Sequence, residues 1–247
     1  IELIIENAGK KLIKIIDNGK GMSEIDAKIC FQKHTTSKIQ KNEDIMNILT
    51  MGFRGEALSS IAAISEVELQ TKTASNEIGT LINIDNSKIK NIKNIATRTG
   101  TSISVKNLFF NVPARKNFLK SDTIEMKHIL ESFMQVAISN YQVSFKLKNN
   151  NKTIYNLNQV NLKQRIIQLF GKRYNEKMLA IKEETSIVSI NGFLGNPMDA
   201  KRTRGEQFLY VNNRFIRSSY LNHAIKSAMD SVITKEQYPS YFLFLNI

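Results

Sequence analysis

Asp17-x-Gly19-x-Gly21 directly follows the apolar run Leu12 to Ile16. A carboxylate at the end of a strand can accept a hydrogen bond from an exocyclic amine such as that of adenine. Two glycines beside it let the backbone approach a planar ring with no Cβ in the way. Asn18-Gly19 after a strand is also an ordinary hairpin turn, so this spacing alone leaves both readings open. A second segment, Gly52-Phe53-Arg54-Gly55-Glu56-Ala57-Leu58, places two glycines around a loop that opens onto a helix. Free backbone N–H groups at the positive end of a helix dipole suit phosphates, although a plain helix entry with a solvated Arg54 explains the loop equally well. No Gly-x-x-x-x-Gly-Lys-Ser/Thr occurs, which excludes the Walker-type loop. Between the two lies His34-Thr35-Thr36-Ser37-Lys38, whose hydroxyls and ammonium could close over a phosphate chain; His34 itself reads better as a neutral ring at a helix end. Gly100-Thr101 opens a strand whose threonine hydroxyl could reach the same base.

These segments have to be held by regular elements. Ile1–Ile5 and Leu12–Ile16 read as a hairpin across residues 6–10. A helix follows, with Ser23 as N-cap and Asp26 three positions on. Another is expected from Glu56 to Ile64. Alternation at Val67–Gln70, Thr80–Ile84 and Thr101–Val105 predicts antiparallel strands between Asn and Gly turns. A long helix starts at Asp122, with Glu125 in a capping-box position and Met126, Ile129, Leu130, Phe133, Met134 and Ala137 at helical spacing. Val143–Leu147 and Thr153–Leu157 form a hairpin about Asn149, Asn150 and Asn151. A domain boundary falls near Asn158–Asn161. Beyond it come a helix from Leu162 to Phe170 that stops at Gly171 and strands around Ile187–Leu194. A basic loop at Lys201, Arg202 and Arg204 then leads to a hairpin turning at Asn212-Asn213. A helix carrying Leu221, Ile225, Ala228, Met229 and Val232 precedes a last strand.

A chain of 247 residues is long enough for one large or two ordinary domains of roughly 150 residues. Its 42% hydrophobic content can fill a core of that size. A single cysteine, Cys30, allows no internal disulfide and sits in a periodic run as a small core residue, which fits a reducing, cytoplasmic compartment. No run of about 18 apolar residues or signal peptide is visible, so no membrane partner is expected. The chain opens on Ile1 inside an alternating run and ends in a strand-like stretch, so residues are expected to be missing at both ends. The net charge of +13 attracts polyanions, yet a Lys-, Asn- and Ile-rich composition also follows from an AT-rich genome, and charge alone does not separate the two.

All four segments occur in order, at spacings that resemble the GHKL ATPase superfamily. Gly52-Phe53-Arg54-Gly55-Glu56-Ala57-Leu58 is similar to a signature of its MutL branch of DNA mismatch repair proteins. So are Asn107-Leu108-Phe109-Phe110-Asn111-Val112-Pro113-Ala114-Arg115-Lys116-Asn117-Phe118-Leu119 and Tyr210-Val211-Asn212-Asn213-Arg214. The resemblance covers essentially the whole chain. It implies an α+β fold: a GHKL (Bergerat-type) sandwich with a mixed, mainly antiparallel sheet over residues 1–158. A smaller α/β transducer-like domain, resembling a ribosomal small-subunit protein, would follow over 159–247.

Carried over by position, the resemblance makes Asp17 the adenine-reading carboxylate, with Gly19, Gly21 and Met22 along the base and sugar. Thr36, Ser37 and Lys38 belong to a lid, and Gly52, Phe53, Arg54, Gly55, Glu56, Ala57 and Leu58 hold phosphates. Thr101 supports Asp17 from behind. Arg214 matches a position linked to DNA, and Lys201, Arg202 and Arg204 either line the same channel or form a solvated basic loop. The family's general-base Glu and its magnesium-ligating Asn would precede Ile1, and a γ-phosphate lysine would follow Ile247. Glu6-Asn7 is no substitute, because its spacing is wrong and it lies in a turn. ATP binding is therefore expected of this chain, with Mg, and hydrolysis of a longer protein. The implied partners are DNA, a second N-terminal half on ATP binding, a MutS-type recognition protein and excision factors. Rival readings are another GHKL ATPase, which would lack the Phe53–Leu58 and Pro113–Lys116 runs, and a non-hydrolysing basic DNA-binding module. A purely structural interaction protein would leave the +13 charge unexplained.

Overall fold

The computed structural model describes residues 1–33, 35, 52, 55–203, 205–234 and 236–247. It divides into two units, Ile1–Glu131 with Ser144–Asn156, and Ser132–Val143 with Leu157–Ile247. The units interleave in sequence, since the division falls inside the helix Asp122–Ser139.

In the first unit the opening hairpin forms as expected. β1 (Glu2–Glu6) pairs antiparallel with β2 (Leu12–Asp17), from Glu2↔Ile16 to Glu6↔Leu12. A one-turn connection over Asn7–Gly9 keeps all three residues at positive φ. α1 (Glu24–Ile29) starts where the sequence places it: the Ser23 hydroxyl oxygen accepts the Asp26 N–H at 3.1 Å, offsetting one of the unpaired first-turn donors. α2 (Ala57–Ala62) is shorter than expected and ends before Ile64.

The sheet continues through β3 (Glu66–Lys72), β4 (Gly79–Asp85), β5 (Lys88–Ile95), β6 (Gly100–Lys106), β7 (Phe145–Asn149) and β8 (Lys152–Leu157). Among the described residues its order is β5-β4-β3-β6-β2-β1-β7-β8. β1 and β7 run parallel, whereas β1·β2, β2·β6, β3·β6, β3·β4 and β4·β5 are antiparallel. β5 is absent from the sequence expectation for a physical reason. Its run KIKNIKNI sits on an edge and is mostly exposed, so lysine and asparagine replace the apolar alternation that marks a half-buried strand.

One face of this sheet carries the core. Val67, Leu69, Ile82 and Ile84 are buried with Ala27 of α1 and Ala62 of α2, and the small alanines let both helices lie close to the strands. Met22, Cys30, Phe31, Ile61 and Ile103 pack against them. Cys30 is thus the core residue expected, and burial pushes its thiol up to about 11, too high for a nucleophile at neutral pH. A short α3 (Pro113–Asn117), not foreseen in the sequence, begins with proline in the first turn, where no N–H is needed. α4 (Asp122–Ser139) follows; the Glu125 carboxylate reaches back to the Lys120 N–H at 2.7 Å, ahead of the position a capping box would use.

The second unit is built on a five-stranded sheet of described residues. It comprises β9 (Met178–Glu184), β10 (Ser189–Gly195), β11 (Gln207–Val211), β12 (Arg214–Phe215) and β13 (Tyr241–Asn246), in the order β12-β11-β13-β10-β9. β9 is a second unforeseen edge strand, again largely exposed. β11 and β13 are parallel, so Phe208 and Tyr210 lie beside Phe242 and Phe244; the rings stack at 5.5 and 4.5 Å between centroids. The β11–β12 hairpin turns at Asn212-Asn213, both at positive φ as a tight primed turn requires.

α5 (Leu162–Phe170) is capped by Asn161, whose side chain accepts the Gln164 N–H, and stops at Gly171 as expected. α6 (Ser219–Ala228) ends one turn earlier than its apolar spacing suggests, leaving Met229 and Val232 in following turns. Arg165 of α5 is wholly buried. Its guanidinium donates to the carbonyls of Ala137, Tyr141, Val143 and Asn158 at 2.7–3.1 Å. Among the described residues no helix is long and apolar enough to cross a membrane.

Candidate functional site

Strand register brings three polar side chains into one row. Asp17, the last residue of β2, lies opposite Thr101 of β6, and Thr101 lies opposite Thr71 of β3. Directly opposed residues point to the same face. It is the face of Leu69, two residues before Thr71, and therefore the helix-covered one. The Thr71 and Thr101 hydroxyls are 3.2 Å apart, and Thr71 Oγ1 lies 3.0 Å from the Gly100 carbonyl. Thr71 Oγ1 also accepts the Met22 N–H at 2.9 Å, which ties the loop after β2 to the third strand.

The glycines of this loop are spatial requirements. Gly21 has φ +69°, and a Cβ there would sit 2.0 Å from the Lys72 carbonyl oxygen. Gly100, at φ +124°, leaves 2.2 Å between a built Cβ and the Asp17 carbonyl oxygen. Asp17 Oδ1 accepts the Gly19 N–H at 2.8 Å, leaving the rest of the carboxylate free to accept from a ligand. The alternative of an ordinary hairpin turn fails: β2 pairs with β1 and β6, and the chain beyond Gly21 enters α1.

The glycine-rich loop before α2 is described in part. Gly55 has φ +67°, and a Cβ there would lie 2.4 Å from the Thr35 carbonyl oxygen, so two of the candidate segments meet backbone to backbone. Glu56 stands at the start of α2 with Ala57 and Leu58 in its first turn, and Gly52 is exposed. Thr36, Ser37, Lys38, Phe53 and Arg54 lie outside the described residues, as do His34 and Arg204. Sequence reasoning missed Thr71. Its signal is a threonine on the stripe Val67-Leu69-Thr71, where an aliphatic residue would continue the core.

Among the described residues, Lys201 and Arg214 of the second unit lie at opposite ends of β11. Arg214 follows the turn at the far end of β11, half-buried on β12. Lys201 pairs with Tyr238 and forms an ion pair with Glu206, just before the start of β11. At about 3.3 Å per residue these two positions are some 15 Å apart along the strand. Arg202 is exposed.

Lys201 has a structural task here, which the picture of a solvated basic loop does not include. Burial pushes the Glu206 carboxyl up, but bonds from the Lys201 ammonium and the Tyr174 and Ser240 hydroxyls outweigh it and hold Glu206 below its ordinary 4.5. A depressed folded value means stability that is fully present above the ordinary carboxylate range and lost as pH falls through the folded value. Urea unfolding followed from pH 7 to pH 3 is expected to show this loss below about pH 4.5. Glu206→Gln should flatten it, and an unchanged slope in that variant would show that other carboxylates carry the acid response.

A family model described as DNA mismatch repair protein, C-terminal domain, matches residues 166–247. The chain is 50% identical over 247 residues to the DNA mismatch repair protein MutL of Flavobacterium psychrophilum, covering 100% of this chain and 40% of that protein. Among solved structures, the N-terminal domain of a DNA repair protein superposes with a TM-score of 0.83 at 24% identity, covering 100% of this chain and 77% of that one. The Aquifex aeolicus MutL ATPase domain complexed with ADP superposes with a TM-score of 0.72 at 24% identity, covering 100% and 83%. The α+β, GHKL-type fold expected from the motifs is thus the fold observed, with its mixed, mainly antiparallel sheet. The chain spans 40% of its curated relative's length, and over that span its sequence is similar to that of the MutL DNA mismatch repair proteins.

Proposed function

We propose that this chain is the ATP-binding, DNA-engaging part of a cytoplasmic mismatch repair switch. The observation that carries the reading is the alignment of Asp17 with Thr101 where Gly21 and Gly100 bring the backbone into close approach. Asp17 accepts from the adenine amine, Thr101 supports it, and Gly19, Gly21 and Met22 flank base and sugar. Gly52 to Leu58 surround the phosphates, and Thr36, Ser37 and Lys38 close over them. The bound ADP named for the Aquifex aeolicus MutL ATPase domain supports a nucleotide as the ligand.

In the longer protein, ATP orders the lid and the preceding segment, and two N-terminal halves dimerise around DNA. That step links a MutS-type recognition protein to excision factors, an order–disorder switch driven by contacts to the γ-phosphate. Arg214, Lys201, Arg202 and Arg204 offer cationic contacts to the DNA backbone. Among the described residues no group of three or more His, Cys, Asp or Glu could hold a metal. Magnesium would be held chiefly by the nucleotide phosphates.

The second reading, a basic DNA-binding module without a nucleotide, rests on the charge of +13. Calorimetric titration of ATP separates the two. Binding by the wild-type chain that falls about a hundredfold in Asp17→Asn, where one acceptor oxygen becomes a donor, is the expected result. DNA binding with no ATP binding in either protein would leave the scaffold as the better account.

A further inference from the structure

Thr71 belongs to none of the segments read as chemical in the sequence, yet the residue is 1% exposed and its hydroxyl touches three groups around Asp17. We propose that Thr71 is a positioning residue, which turns the Thr101 hydroxyl into an obligatory hydrogen-bond acceptor and so sharpens selection for a 6-amino over a 6-oxo purine. The proposal rests on the nucleotide reading given above.

The argument is a count of hydrogens. A threonine hydroxyl has one hydrogen to give and two lone pairs to receive. The Met22 N–H fills one lone pair of Thr71 at 2.9 Å. The Gly100 carbonyl can only accept, so its 3.0 Å contact takes the Thr71 hydrogen. One lone pair then remains, facing Thr101 Oγ1 at 3.2 Å, and the Thr101 hydrogen satisfies it. With its hydrogen turned inward, Thr101 offers the pocket lone pairs only, beside a carboxylate that is likewise an acceptor. Two acceptors match the amine of adenine, directly or through a water that the amine orders. A 6-oxo group presents its own lone pairs to both and is rejected, because buried polar groups are left without partners. Without the Thr71 hydroxyl, Thr101 is free to rotate and donate, and the site loses part of that discrimination.

The test compares ATP with inosine triphosphate, whose base carries oxygen in place of the amine, by calorimetric titration of the 247-residue chain. The readout is the Kd for inosine triphosphate divided by the Kd for ATP within each protein, so a general weakening of the site cancels. In Thr71→Val the ratio is expected to fall about tenfold, through loss of one directional bond, while Thr71→Ser keeps it within about twofold of wild type. Should Thr71→Val fail to fold, Thr71→Cys replaces the hydroxyl with a weak donor, and the ratio should fall severalfold. An unchanged ratio in the folded variant, including equal weakening of both nucleotides, overturns the proposal and makes Thr71 a merely structural residue. Absence of ATP binding in the wild-type chain would overturn the nucleotide reading itself, and this proposal with it.

Discussion

Arg165→Met is expected to destabilise the second unit by about 3–5 kcal/mol, and in a chain of this size to lower Tm by roughly 10 °C. Methionine fills the same space, so the loss comes from polar groups rather than from a cavity. Arg165 is 0% exposed, and desolvation lowers its pKa, which shows that burial opposes its charge. What offsets this is the fork of N–H groups. Nη1 donates to the Ala137 carbonyl, and Nη2 lies within 3.1 Å of those of Tyr141, Val143 and Asn158. Ala137 is in the last turn of α4, whose C-terminal carbonyls lack helical partners and carry the negative end of the dipole. Removing the donor takes its bond from the buried Ala137 carbonyl and from the partly buried contacts to Val143 and Asn158, at about 1–3 kcal/mol each. The Tyr141 carbonyl still accepts the Val160 N–H. Arg165→Lys keeps the charge but offers one compact ammonium, which cannot span four acceptors, and should recover about half the loss. Urea unfolding monitored by near-UV circular dichroism checks both. A methionine variant within 1 kcal/mol of wild type would mean that these carbonyls find other partners once the arginine is gone.

Gly21→Ala is expected to weaken ATP binding at least a hundredfold, the largest effect foreseen for a single methyl group. An alanine at φ +69° costs about 1–3 kcal/mol in backbone strain alone. Its Cβ would also stand 2.0 Å from the Lys72 carbonyl oxygen and 2.6 Å from the carbonyl carbon, and both are backbone atoms held in β3. The loop must therefore move, and the adjacent Met22 N–H moves off Thr71. Gly171→Ala separates strain from crowding. It has φ +99° but nothing within 4 Å of the built Cβ, so it should cost stability without touching nucleotide affinity. Titration of ATP against both variants, with thermal melts in parallel, is the measurement. Equal affinities in the two would remove Gly21 from the site.

Several features of the candidate site are legible in local sequence because local chemistry decides them. Ser23 caps α1 and Asn161 caps α5 through bonds to residues three positions on, which any such pair at that spacing can form. Asn-Asn pairs at 150–151 and 212–213 turn their hairpins because asparagine tolerates positive φ. Asp17, Gly21 and Gly100 stand in short strings that resemble a family only in their order together with the long runs Gly52–Leu58 and Asn107–Leu119. Exposed edge strands, in contrast, leave no trace: β5 and β9 are strands because a neighbour offers its backbone, and their side chains do not alternate. Lys201 shows the same limit, since a cation in a basic loop and a cation bonded to a half-buried Glu206 are identical in sequence.

Thr71 and Arg165 mark the boundary most clearly. Sequence by itself determined the type of group at the end of β2, an acceptor carboxylate among glycines. Only the tertiary structure decided that a threonine 54 residues further along stands beside Thr101, and that an arginine in α5 meets carbonyls from the end of α4 onward. The reason is that pairing across strands and the capping of distant carbonyls depend on register and burial. These are set by which apolar faces cover one another, and not by the spacing of residues along the chain.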